Sequence, residues 1–353
     1  MTTFEHKIDA LPKIELHSHL EGSVRAKTVI EFAERNGVKL HADQPESFYS
    51  GNYEQDSFFK QFFGVCAAMA TPEDCSRAIY EALCDQVAAG NVRYSEMFFQ
   101  PTMHGRMRYP EMLAGLIDGM KRAEAKTGIK SRIIAAINRE QSLDVAMQLV
   151  QDILDHQCDE VLGIGLDGNP YIPASNFRPA FELAHRGGLP CTAHAGVPVH
   201  DNEEVIEVLG CRRIDHGYYI VEEPALLQRL VRERVHFTAC WTLAGEYFPM
   251  TPEASPIGAM VAAGLSVSIN TDDPQIFHTD IGKEYRLSAT KLGWNLQTVW
   301  DRVLDAVEGC WLDQSEKTQL RQQLVAEVNA LGFELSTLGS KADSPMRGAD
   351  LRD

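Results

Sequence analysis

Along the chain, short apolar runs alternate with longer stretches of helical period. The runs predict eight strands: Ile14–Leu20, Val92–Phe99, Ser131–Ile137, Val161–Leu166, Leu189–His194, Arg213–His216, Val235–Cys240 and Leu265–Asn270. Several are continuously apolar, as strands covered on both faces are. Between them lie segments of helical length, among them Pro72–Ala89, Tyr109–Thr127, Leu143–His156 and Pro224–Arg234. Strand–helix alternation implies parallel strands joined by right-handed crossovers. Eight such units predict an α/β fold of the closed (β/α)8, TIM-like kind. The stretch Val24–Met69 is too long for one crossover helix and predicts a helical insertion over the barrel mouth. After Asn270 the pattern predicts a loop and two C-terminal helices, Leu296–Cys310 and Gln314–Leu331, then a frayed polar tail, Ser340–Asp353. No repeat or linker divides the chain, so residues 1–353 read as one barrel domain. The alternative is a doubly wound two-domain arrangement, but no GxGxxG follows the first strand.

Composition narrows the function class. Of 353 residues, 44% are hydrophobic and 24% charged, which is the balance of a folded globular chain. A formal charge of −17 repels phosphate backbones and anionic lipid. The expected partner is therefore a small molecule, neutral or cationic, and not a nucleic acid or a membrane. Nothing in the sequence sets an oligomeric state. The eight cysteines form no CxxC pair and read as reduced, small apolar residues. The first residues hold no apolar signal segment, and no run reaches the ~18 apolar residues of a membrane helix. The reading is a cytoplasmic protein.

Polar residues recur where predicted strands end, and in a barrel those ends surround one pocket. His17 and His19 end the first strand in ELHSHLEG. Residues i and i+2 of a strand project to one side, so both imidazoles reach one ion. His194 ends the fifth strand in TAHAG, His216 the sixth in RIDHG, and Asp272 and Asp273 follow the eighth in SINTDDP. Three imidazoles and a carboxylate suit zinc or a similar divalent ion. Each piece alone is weak, because core histidines are common and Asp-Asp-Pro is also turn chemistry. Their joint placement at strand ends carries the reading.

The ordered stretches KIELHSHLEGSV, VRYSEMFFQP, IGLDGNP, TAHAG, RIDHG and SINTDDP resemble the adenosine deaminase family of metal-dependent amidohydrolases. The resemblance implies one zinc ion held by His17, His19, His194 and Asp272. It implies that His216, acting with Asp272, handles the proton of the attacking water, whose pKa the ion lowers. It places Asp273 at the imidazole edge of a purine, the Gly168 backbone against the ring, and Glu21 near the sugar or its equivalent. The other zinc deaminase design, HxE with PCxxC, is absent.

One departure bears on the chemistry. The family motif HAGE reads HAGV here, so Val197 stands where a glutamate gives a proton to ring N1. A bare ring nitrogen facing valine loses ~1–3 kcal/mol of binding, and loss of a general acid slows chemistry by ~10²–10⁴. The expected activity is hydrolytic deamination of an amino-heterocycle, purine-like or related, with poor turnover of adenosine and adenine. The alternative is a catalytically altered or inactive relative that binds a purine or nucleoside. Another acid standing in for the glutamate is a further alternative; Glu203, Glu204 and Glu246 are nearby in sequence, each expected to be a solvated surface charge. Trp241 is expected near the pocket wall. Phe58, Phe59, Phe62 and Phe63 fit one helical face in the insertion, as core or as substrate contacts.

Overall fold

The computed structural model describes residues 3–42, 44–50 and 55–337. Eight strands follow the predicted order: β1 Lys13–His19, β2 Val92–Phe99, β3 Lys130–Asn138, β4 Val161–Asp167, β5 Thr192–Ala195, β6 Arg213–His216, β7 His236–Cys240 and β8 Ser266–Asn270. They pair in parallel within two four-stranded sheets, β1-β2-β3-β4 and β5-β6-β7-β8. Single parallel bridges, Ile164–Cys191 and Ser18–Asp272, span the two seams. The architecture is the α/β, TIM-like barrel that the alternation predicts.

Helices occupy the connections. The helix Pro72–Gly90 starts on a capping box in which Thr71 accepts from the Asp74 N–H, and it stops at Asn91 in the left-handed region. The insertion after β1 holds the helices Ala26–Asn36, Pro45–Phe48 and Gln55–Ala68, as its length predicts. The C-terminal helices are Leu296–Gly309 and Gln314–Ala330. The segment after Asn270, read as loop, contains a further helix, Ile281–Leu292, capped by Asp280 on the Lys283 N–H. It buries Ile281, Tyr285, Ser288 and Ala289, a one-sided helical stripe. The fifth strand starts later than predicted, at Thr192, because Leu189–Cys191 makes only a single bridge to β4. The tail Ser340–Asp353 lies outside the described residues. Among the described residues no helix is long and apolar enough to cross a membrane. All eight cysteines are free thiols.

The first strand sets the site. All seven of its residues are buried. Alternation puts Lys13, Glu15, His17 and His19 on one face and Ile14, Leu16 and Ser18 on the other. A column of polar groups thus climbs one face of β1 and ends in two imidazoles. At its lower end, Lys13 Nζ donates to the carbonyls of Ile8 at 2.7 Å and Leu11 at 2.9 Å.

Candidate active site

The loops after β1 to β8 and the helix Gln55–Ala68 enclose a cavity of about 330 Å³. Its lining includes His19, Asp167, Gly168, His194, Val197, His216, Asp272 and Asp273. His17, His19, His194 and Asp272 converge: one ligand atom from each lies within 4.8 Å of the others. His194 Nε2 sits 3.1 Å from His17 Nε2 and 3.0 Å from His19 Nε2. Asp272 Oδ1 lies 3.4 Å from His17 Nε2 and 3.3 Å from His19 Nε2.

The far side of each imidazole explains this convergence. The Thr238 hydroxyl donates to Asp215 Oδ1 at 2.9 Å, so toward His17 Nδ1, 3.0 Å away, it can only accept. His17 therefore carries its hydrogen on Nδ1. His194 Nδ1 faces Asp215 Oδ2 at 3.4 Å, and His19 Nδ1 faces Asp167 Oδ2 at 3.6 Å. Carboxylates there favour the Nδ1–H tautomer. Three Nε2 lone pairs then aim at one point beside a carboxylate oxygen. They repel unless a cation lies among them, so the donor set fits a divalent ion. Burial, working against the Asp215 pairing, takes His194 down to about 4, which keeps it neutral as a ligand must be. For His19 burial acts downward too, but Asp273, Asp272 and Asp167 outweigh it and raise it to about 10. The carboxylates thus demand positive charge at this point.

His216 is poised differently. The Tyr218 hydroxyl donates to the Cys240 carbonyl at 2.9 Å and accepts from the Cys240 N–H at 2.8 Å. Its oxygen stands 3.5 Å from His216 Nδ1, which favours the hydrogen on that nitrogen. His216 Nε2 is left unprotonated 3.7 Å from Asp272 Oδ2. Burial holds this imidazole well below its ordinary pKa. For Asp272 burial works upward, but His17 and His19 win and keep the carboxylate ionised. Both residues have positive φ, +70° at His216 and +63° at Asp272. The left-handed turn at His216 lets adjacent Asp215 and His216 serve one site, which strict strand alternation forbids.

Asp273 is buried, and its Oδ1 has no hydrogen-bond partner. Burial first, then the neighbouring Asp272, push its pKa up, against the opposing pull of His19. It lies against Gly22, where a Cβ would collide with its carboxylate. That close approach explains the glycine of the HLEG stretch. Gly168 lines the cavity with φ +89°, a conformation that leaves its backbone free of a side chain.

Three expectations change. Glu21 does not line the cavity: it is fully buried, and its Oε1 accepts from the Gln100 N–H and from His104 Nε2, each at 2.9 Å. Its Oε2 is buried without a hydrogen-bond partner among the described residues. Trp241 is packed into the hydrophobic core, and the wall there is Leu243, Glu246 and Tyr247. The helix Trp241–Tyr247 rotates the indole inward and its next turn outward. Of the three acids, Glu246 lines the cavity, whereas Glu204 accepts from the Ser175 N–H at 2.9 Å and Glu203 sits exposed. All four phenylalanines of the insertion line the cavity, with Phe62 at 6.4 Å, ring to ring, from His19.

Asp215, Thr238, Tyr218, Asp167, Gln100 and Arg139 were not singled out as functional residues. Asp167 and Asp215 stand at strand ends inside quoted stretches, the same signal that exposes the histidines. Thr238 and Tyr218 carry no such mark, because their role depends on which ring nitrogen they meet.

Three converging imidazoles, a carboxylate and an unprotonated histidine at the loop end of an α/β barrel define a metal-dependent hydrolase. Residues 12–327 match the family described as Adenosine deaminase. The chain belongs to that family, and it is a hydrolytic deaminase. It is 33% identical over 336 residues to an adenine deaminase of Streptomyces coelicolor, covering 92% of this chain and 96% of that one. The structure of a zinc-bound amidohydrolase from Burkholderia ambifaria superposes with a TM-score of 0.86 at 31% identity, covering 94% and 95%. The N6-methyl-AMP deaminase of Arabidopsis thaliana superposes at 0.79 with 25% identity, covering 91% and 98%. The donor set and the zinc-bearing neighbour together support a divalent metal here.

Proposed function

We propose that the protein deaminates a purine-like amino-heterocycle, with one zinc ion per chain held by His17, His19, His194 and Asp272. The ion, when bound, supplies Lewis acidity and a lowered water pKa. The observation that carries the reading is the placement of His216: its Nδ1 faces the accepting Tyr218 oxygen and its Nε2 stands 3.7 Å from Asp272 Oδ2 on the cavity wall. Such a group takes a proton from attacking water and returns it to the departing amine. A pure binding protein has no use for it. Relatives acting on adenine and on N6-methyl-AMP favour a purine-like ring.

Val197 lines the cavity and donates nothing, so adenosine and adenine are expected to be poor substrates. Asp273, its Oδ1 unpartnered on the cavity wall, meets a polar edge of the ring, and the Gly168 backbone lies open to the ring face. The phenylalanine wall receives an apolar ring or substituent.

The test is ammonia release by the metal-loaded protein on adenine, adenosine and a panel of amino-purines, pterins and pyrimidines. The reading expects turnover of a panel member well above that of adenine and adenosine. Val197→Glu is expected to raise kcat/KM for adenine by at least tenfold. Wild-type adenine turnover already near ~10⁶ M⁻¹s⁻¹, a value typical of good enzymes, would refute the role given to Val197. No release from any member would refute the deaminase substrate class.

A further inference from the structure

Glu21, Cys66 and His104 meet outside the catalytic cluster. They come from three segments: the turn after β1, the helix Gln55–Ala68 and the loop after β2. One ligand atom from each lies within 4.8 Å of the others. A tetrahedral zinc ion with bonds of ~2.0–2.3 Å sets its ligands ~3.3–3.8 Å apart, inside that limit. The three residues are 0%, 3% and 2% exposed, as deep as His17 at 0% and His19 at 3%. Such depth suits the ligands of an ion, which bind it between themselves and need no surface facing solvent.

This cluster holds more acceptors than donors. Glu21 Oε1 accepts from the Gln100 N–H and faces His104 Nε2, each at 2.9 Å. On the far side of the ring, His104 Nδ1 faces the Met69 carbonyl at 3.4 Å. A neutral imidazole has one hydrogen for these two acceptors. On Nε2, it leaves the Nδ1 lone pair against the carbonyl. On Nδ1, it leaves the Nε2 lone pair against a carboxylate. The second arrangement is that of a metal-binding histidine, whose other nitrogen donates to a carbonyl. Phe99 stacks on this ring at 5.0 Å between centroids and holds its plane. Glu21 Oε2 is buried with no partner among the described residues. Burial first, then Glu21, Asp167 and Asp273, raise the pKa of the Cys66 thiol, which marks a negative field at the sulfur.

We propose that Glu21, Cys66 and His104 form a second divalent-metal site, suited to zinc by its oxygen, sulfur and nitrogen donors. This goes beyond the deaminase reading and does not depend on the substrate. Binding makes one bond each to a Glu21 oxygen, the Cys66 sulfur and His104 Nε2, and releases the thiol proton to solvent, because a coordinating thiol is deprotonated. A dication then meets one carboxylate and one thiolate, so the buried group is neutral. The ion pins the helix Gln55–Ala68, which carries the phenylalanine wall, to the loops after β1 and β2. With three protein ligands against four, this site fills after the catalytic one.

In the experiment, protein carrying one equivalent of zinc is titrated with cobalt(II), whose bonds to thiolate give an intense near-ultraviolet charge-transfer band. Wild type is expected to develop the band over one added equivalent. Cys66→Ala is expected to lose it. Cys240→Ala, at the cysteine that lies beside His17 and His216, is expected to keep it. His104→Gln is expected to weaken uptake of the added equivalent by at least ~100-fold, the upper end of what a supporting partner alone is worth, and it remains informative if Cys66→Ala fails to fold. Absence of the band in wild type overturns the proposal and marks His104 as an imidazolium paired with Glu21. A band that survives in folded Cys66→Ala, or undiminished uptake in His104→Gln, also overturns it. Ammonia release is read in parallel, and its absence with the band present counts against the deaminase substrate reading alone.

Discussion

Asp215 acts without touching a substrate. It accepts from Thr238, which orients His17, and it faces Nδ1 of His194, so two of the three imidazoles take their tautomer from it. Supporting carboxylates of this kind are worth ~10–100-fold in metal affinity. Asp215→Asn is therefore expected to lower zinc affinity by that factor while the fold persists, measured by competition with a chromophoric chelator. Unchanged affinity would show that Thr238 and backbone groups suffice. His236 lies in the same barrel but is unconnected to the metal cluster, its two nitrogens meeting Ser266 and Ser268 hydroxyls at 2.8 and 2.9 Å. Burial, then nearby Arg213, pushes its pKa down to about 3. A depressed histidine is neutral when folded and takes a proton on unfolding below its ordinary value of about 6.5. Its contribution is thus fully present above pH ~6.5 and is lost at up to ~1.4 kcal/mol per pH unit as pH falls toward 3. Denaturant titrations from pH 7 to 4 are expected to show a shallower decline in His236→Gln than in wild type. Parallel declines would refute the assignment.

At the scale of elements, the β1 end, the turn after it and the β8 end form one unit. Asp272 N–H donates to the His17 carbonyl and His19 N–H to the Asp272 carbonyl, both at 2.8 Å, so the carboxylate ligand is held by the backbone of the strand that supplies two imidazoles. Gly22 lets Asp273 approach that turn. Gly22→Ala would drive a methyl into the Asp273 carboxylate. Misplacement by ~1 Å near reacting groups costs ~10²-fold. The expected result is a drop of about that size in kcat/KM with one equivalent of metal retained, read by ammonia release and metal analysis together. Normal turnover would show that Asp273 does not set substrate position. The helix Gln55–Ala68 closes the mouth with stacked rings, Phe58 on Phe62 and Phe58 on Phe277, each pair 5.9 Å apart. Its side facing the cavity is apolar, which matches a flat heterocycle better than a phosphate.

For the whole molecule, the candidate ion-binding residues join β1, β5 and the segment after β8, elements far apart in sequence and on both sides of one seam. A ligand that binds only the folded state adds RT ln(1 + [L]/Kd), about 4 kcal/mol at a thousandfold excess over Kd. Removing the metal is expected to lower the Tm by several degrees and abolish ammonia release, both restored by zinc. An unchanged Tm and full activity after verified metal removal would sink the metal assignment. The net charge of −17 surrounds this site, and its lining carries four carboxyl groups against one arginine. That field favours neutral and cationic rings over phosphorylated substrates.

The sequence by itself determined the eight strands, their parallel order and the four residues that converge as the candidate metal site. Those depend on local signals: apolar runs separated by helical stretches, a two-residue spacing on one strand, polar residues where strands stop. Val197 was legible as well, because a missing carboxylate in a recognisable stretch is visible without coordinates. The helix Ile281–Leu292 was missed although its buried stripe is regular, because the Asp-Asp-Pro turn before it reads as loop chemistry. Tertiary structure alone decided what each polar residue faces. Glu21 was read as a substrate contact and lies outside the cavity lining with one oxygen on His104; Trp241 was placed at the wall and lies in the core; Arg139 and Asp215 were passed over and hold the β5 loop and the imidazole tautomers. The physical reason is that a side chain's role follows from which atoms are left without partners after packing. That accounting closes over residues tens to hundreds of positions apart, where no periodicity or motif reaches.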